Sequence, residues 1–144
     1  MIGTIDTINI SNTSRDAFDA DFSNLIINEI KIVNAGNDCV DLSSGDYSIK
    51  YANLFNCRDK AISVGEKSQL ILGSTKISES NIGLASKDSS FISVDNVKAI
   101  SVVTCFSAYN KKQEFWGGKI SIKKHNCKPD QIIVEKASLI EVIL

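Results

Sequence analysis

Apolar and polar positions alternate along this chain in short bursts, and the bursts return every 22 residues. Stepping by 22 from Ala17 gives Cys39, Ala61, Gly83 and Cys105, all small. The next position gives Phe18, Val40, Ile62, Leu84 and Phe106, all large and apolar. Two positions later come Ala20, Leu42, Val64, Ser86 and Ala108. Earlier in the period Ile5, Ile27 and Ile49 align, as do Ile10, Ile32 and Leu54. Slips blur the first of these two columns after Ile49, and Leu70, Ile92 and Ile120 are expected to continue it.

Apolar residues at i and i+2 in a fixed period predict short strands joined by tight turns. Each unit has one small-large-x-apolar strand, such as CVDL or AISV, and a longer strand region, such as LIINEIKIV. No stretch repeats apolar residues at helical spacing over three turns, and Pro129 is the only proline. The fixed Leu and Asn spacing of leucine-rich repeats is absent. The expected fold is an all-β parallel solenoid of about six coils, each stacked on the next by main-chain hydrogen bonds. At ~4.8 Å per coil it makes a rod roughly 25–30 Å long.

The segments GNDCVDLSSG, RDKAISVGEKS, NIGLASKDSS and AYNKKQEFWGG, within residues 14–125, resemble the right-handed parallel β-helix repeat family. That resemblance implies a single-stranded right-handed helix. It also implies a module of large bacterial or archaeal surface or secreted proteins, some carrying a spore-coat-kinase-like domain. Such folds host lyases, hydrolases, adhesins and spacers, so the resemblance speaks to fold more than to activity.

The whole chain, 1–144, is expected to form one domain, with core coils at 14–127 and partial coils at 1–13 and 128–144. The partial coils suggest a module excised from a longer chain. Uncapped ends would be covered by flanking domains or by self-association. A net charge of −1 offers no field for nucleic acid. No apolar run reaches the length of a membrane span. Met1 is not followed by a secretory leader, so an extracellular or cell-surface location is expected only as part of a longer secreted chain.

Cys39 and Cys105 share a column three coils apart, ~14 Å, too far to pair. Cys57 and Cys127 are expected to share another. Buried free thiols are therefore the main expectation. Pairing within a coil, Cys39 with Cys57 or Cys105 with Cys127, stays open, and His125 beside Cys127 is too little for a zinc site. Asn37, Asp59 and Asn81 recur before the small column and are expected to form a turn ladder. Substituting Asn37 or Asn81 would then cost stability, not activity.

With Phe18 and Ala20 inward, Asp19 and Asp21 face out, followed by Asp41, Ser43, Ser63, Gly65, Ala85, Lys87, Ser107 and Tyr109. This outward face is the expected ligand surface. Asp19 and Asp41 would stack one coil apart, where two carboxylates repel by roughly 3 kcal/mol. Splaying into water, a bridging calcium ion or a raised pKa would relieve that; calcium is the one cofactor the pattern admits. As catalytic residues the pattern offers Asp19 and Asp41 as an acid/base or nucleophile pair and Lys87 as a lyase base. Lys87 sits two to three coils from Asp41, so the two would meet only through an extended substrate. Glu66, Lys67, Lys87, Asp88, Lys111, Lys112 and Glu114 recur after this strand and are expected to pair at the surface.

Residues 110–118 interrupt the period and hold Phe115 and Trp116 before two glycines. There Trp116, with Tyr109 and Asp21, is a candidate ligand-binding group, or else the two aromatic rings fold over as a lid. Three functions follow. A structural or carbohydrate-binding module comes first, a polysaccharide lyase or glycoside hydrolase second, and a self-assembling scaffold third.

Overall fold

The computed structural model describes residues 2–143; Met1 and Leu144, the last residue of the expected LIEVIL strand, lie outside it. The chain winds as a β-solenoid of about six parallel turns. The first coil is β1 (Ile2–Thr13) and β2 (Phe18–Asp21), and the second is β3 (Asn24–Ala35) and β4 (Val40–Ser43). Coils three to five are single long bent strands, β5 (Asp46–Gly65), β6 (Gln69–Lys87) and β7 (Phe91–Tyr109). The sixth holds β8 (Lys119–His125), a 3₁₀ turn at Pro129–Gln131 and β9 (Ile132–Val134), and β10 (Leu139–Val142) begins another turn.

The 22-residue step is the physical stacking distance. Phe18 pairs with Val40, Val40 with Ile62, Ile62 with Leu84, and Leu84 with Phe106, all parallel and in register. Apolar side chains from each rung meet the same side chains above and below, so the interior is continuous from Leu25 to Ile122. After Phe106 the partner is Ile132, a step of 26, because the 110–118 loop is inserted.

One column differs from expectation. Ile49 is followed by Leu72, Val94 and Ile122, whereas Leu70, Ile92 and Ile120 continue the Leu25–Tyr47 column. The cause lies in the turns. Coils one and two leave the short strand through one left-handed residue, Phe22 or Ser44; coil three uses two, Glu66 and Lys67. That extra residue shifts the long strand by one. The register recovers between Cys57 and Lys60.

Near the ends of β1 and β3, and midway along β5, β6 and β7, the chain also turns left-handed, at Asn12 (φ 59°), Asn34 (63°), Asn56 (57°), Glu79 (55°) and Ser101 (55°). Asparagine tolerates this conformation best of the residues with a Cβ. The Asn34 amide donates to the Asn12 carbonyl at 2.9 Å, and the Asn56 amide to that of Asn34 at 2.9 Å. This is the molecule's turn ladder. Asn37, Asp59 and Asn81 do not form one: the Asn37 amide donates to Asp16, the Asp59 carboxylate accepts from Lys60, and Asn81 is exposed.

The expectation of free thiols is overturned. Cys39 pairs with Cys57 and Cys105 with Cys127, with Cα–Cα distances of 5.3 and 6.4 Å. Each bridge joins neighbouring coils at a corner: Cys39 follows β3 in coil two and Cys57 lies in β5 of coil three, and Cys105 lies in β7 of coil five and Cys127 follows β8 in coil six. The Cys127 sulfur is thereby lost to any zinc set.

Candidate functional site

The short strands present their outward side chains in the order the period predicts. Asp19 lies beside Asp41, and Asp21 beside Ser43, whose hydroxyl donates to the Asp21 carboxylate at 3.2 Å. The middle of the face is not an open groove, however. Ser63 and Ala85 are fully buried and Ser107 nearly so. The half-buried Lys60, Lys87 and Tyr109 border it.

Lys87 and Asp41 feel each other's charge and line one cleft, with no ion pair between them within 4 Å among the described residues. The Lys87 side chain lies against Gly65, which stacks on Ser43. A Cβ on Gly65 would sit 3.0 Å from Lys87 Cε, so the lysine stem lies flat across the glycine. Asp41 and Lys87 line one cleft of about 200 Å³, with Glu66, Asp88 and Lys111.

Two residues outside the predicted set complete the acidic corner. The carboxylates of Asp16, Asp38 and Asp41 all lie within 4.8 Å of one another. Asp16 accepts from the Asn37 amide at 2.8 Å and from the Asp38 N–H at 3.0 Å; Asp38 accepts from the Lys60 N–H at 3.2 Å. Each acid thus caps the backbone of the next coil. Lys60 closes the column, with its ammonium 2.7 Å from Asp59 and 3.8 Å from Asp38. The expected pair Asp19 and Asp41 is in register, and Asp16 and Asp38 join Asp41 from the other side. The positive charge already within reach is the Lys60 ammonium.

Burial, together with neighbouring Asp38, pushes the Asp41 carboxyl up to about 6 against the pull of Lys87. Burial is also the main cause of the raised Asp38 and Asp19 pKa values. Lys87 is shifted down by burial and by the Lys60 charge. Tyr109, in register with Lys87, is raised by burial and lowered by Lys60.

The inserted loop is tightly tied. The buried Asp88 Oδ1 accepts the backbone N–H groups of Lys111 and Lys112 at 2.7 and 2.8 Å. The Asn110 amide donates to the carbonyls of Lys112, Phe115 and Trp116 within 2.9 Å. Trp116 and Ser89 bond in both directions: the Trp116 N–H donates to Ser89 Oγ at 2.7 Å, and the Ser89 N–H donates to the Trp116 carbonyl at 2.9 Å. Gly118 ends the loop, where a Cβ would lie 1.8 Å from the Ser86 carbonyl oxygen. Lys112 crosses two coils to pair with Glu66. Trp116 itself is 78% exposed, so it is no lid over the core. Its ring borders a cleft of about 330 Å³ with Glu135 and Lys136.

The structure therefore sets Asp41 and Lys87 on one cleft, keeps Asp19 and Asp21 at the exposed rim and places Trp116 in the inserted loop. Asp16, Asp38 and Lys60 were missed, although they stand at the same 22-residue step. No family model, curated protein or solved structure matches this chain.

Proposed function

We propose that this chain is a structural, glycan-binding solenoid module of a surface or secreted protein, with Trp116 as its stacking platform. The observation that carries this reading is a large aromatic ring in water on a backbone fixed by three hydrogen bonds. An exposed indole gains nothing for the fold. Held rigidly, it offers an apolar face to the C–H side of a sugar at little ordering cost. Two disulfides favour an oxidising compartment. The half-buried Ile5, Ile8 and Phe18 at one end, and Ile140 at the other, suit cover by flanking chain or by another copy.

A panel of immobilised polysaccharides tests the reading. At least one is retained, and Trp116→Ala weakens it about tenfold, or about 1.4 kcal/mol, with unchanged far-UV circular dichroism. Equal binding by the variant would remove Trp116 from the function.

The Asp41–Lys87 pair favours a second reading, a polysaccharide lyase or glycoside hydrolase. Asp38 is 4% exposed and caps backbone, so Asp41 and Lys87 are the groups left to act. Unsaturated or reducing sugar released from polysaccharide mixtures, and lost in Asp41→Asn, is its signature. Release that persists in that variant would exclude Asp41.

A further inference from the structure

The long strands carry a second outward face, away from the acidic corner. In its central columns Lys31 stacks on Asn53, Asn53 on Lys76, and Lys76 on Lys98. Beside them run Glu29, Tyr51, Ser74 and Asn96. None of the three lysines makes an ion pair among the described residues. Lys76 and Lys98 occupy adjacent rungs ~4.8 Å apart, an arrangement that like charges oppose. Tyr51 is 52% exposed and lines a cleft of about 280 Å³ with Asn53, Ser74, Lys76, Asn96 and Lys98.

We infer that this face binds a linear anionic polysaccharide along the solenoid axis. The lysines supply a row of cations, from Lys31 to Lys98 ~14 Å long, at the constant rung spacing. The tyrosine ring suits a sugar face. The Asn53 and Asn96 amides and the Ser74 hydroxyl suit ring hydroxyls, since each can donate and accept. A bound carboxylate or sulfate would relieve the repulsion between Lys76 and Lys98. A nucleic acid fits less well, because one aromatic ring and three lysines in a chain of net charge −1 give a small phosphate footprint. The inference stands apart from the Trp116 reading, which concerns the inserted loop.

Affinity electrophoresis of the full chain through gels holding polygalacturonate, dextran sulfate or neutral dextran tests it. The polygalacturonate and sulfate gels separate a carboxylate preference from a sulfate one. One or both anionic polymers retard the protein at low salt, and neutral dextran does not. In the double variant Lys76→Gln, Lys98→Gln, retardation falls about tenfold with an unchanged melting curve. The corresponding Lys→Arg double variant keeps it, as does the charge-matched control Arg58→Gln, Lys128→Gln. The inference is overturned if neither anionic polymer retards the protein, if dextran does so equally, or if the control weakens binding as much. Tighter binding of oligothymidylate would overturn it too. Loss in Trp116→Ala, with the Lys76/Lys98 double variant unaffected, would overturn it and leave the first reading standing.

Discussion

Two corners of this solenoid stack polar side chains rung over rung, and they do so with opposite consequences. At one, Asn12, Asn34 and Asn56 lie in line, the Asn34 amide donating to the Asn12 carbonyl and the Asn56 amide to that of Asn34. At the other, Asp16 and Asp38 lie in line beneath Lys60, with Asp19 and Asp41 beside them. An amide both donates and accepts, so a column of asparagines satisfies itself. A carboxylate only accepts, so a column of aspartates must borrow donors from backbone and lysine and still carries like charge. The asparagine corner stabilises; the acidic corner holds proton affinities away from their ordinary values.

The Cys39–Cys57 disulfide ties these corners together, since Cys39 follows Asp38 and Cys57 follows Asn56. Replacing both cysteines by alanine should therefore have the largest effect. An 18-residue separation corresponds to about 3 kcal/mol of unfolded-state entropy, read as a lower denaturation midpoint. An unchanged midpoint would mean the bridge does not hold the corners.

Breaking the ladder itself comes next. Asn34→Ala removes two amide bonds and places alanine at φ 63°, for a loss of about 2 kcal/mol. Asn34→Gly restores the backbone freedom and should lose about half as much. Asn34→Asp sharpens the contrast: it keeps the bond accepted from Asn56, loses the one donated to Asn12, and makes stability fall as the new acid ionises. If alanine and glycine variants unfold together, the left-handed corner carries no strain.

The acidic corner should respond in the opposite sense. Asp41 has its folded pKa raised to about 6, so the folded state holds its proton more tightly than the unfolded chain. The resulting stability is complete below about pH 4 and is lost as pH rises to about 6. Asp41→Asn should then stabilise the protein at pH 7 by about 1 kcal/mol after solvent screening, and hardly at all at pH 4. Thermal melts at the two pH values check this, and a variant less stable at pH 7 would refute it. Trp116→Ala, on a ring displayed to water, should change stability least, within about 0.5 kcal/mol.

Much of this was legible from spacing. The inward columns and the Asp19–Asp41 neighbours follow from a side-chain period of two and a coil period of 22. The asparagine ladder was equally present in the spacing at Asn12, Asn34 and Asn56, one turn before the Asn37, Asp59 and Asn81 column. Asp16, Asp38 and Lys60 also shared the step, and the change of sign at the third was their signal.

The sequence by itself determined the repeat, the all-β solenoid and the identity of the residues in each rung. A stacked fold converts a constant interval directly into contact, and that conversion needs no knowledge of the coil's outline. The outline was decided only by the tertiary structure, through the places where the chain turns left-handed. Those turns bring Cys39 against Cys57, lay the stem of Lys87 over Gly65 on the cleft that Asp41 lines, and shift Leu72 into the column expected for Leu70. Distances across a coil depend on turn geometry and side-chain reach, and a residue count along the axis contains neither.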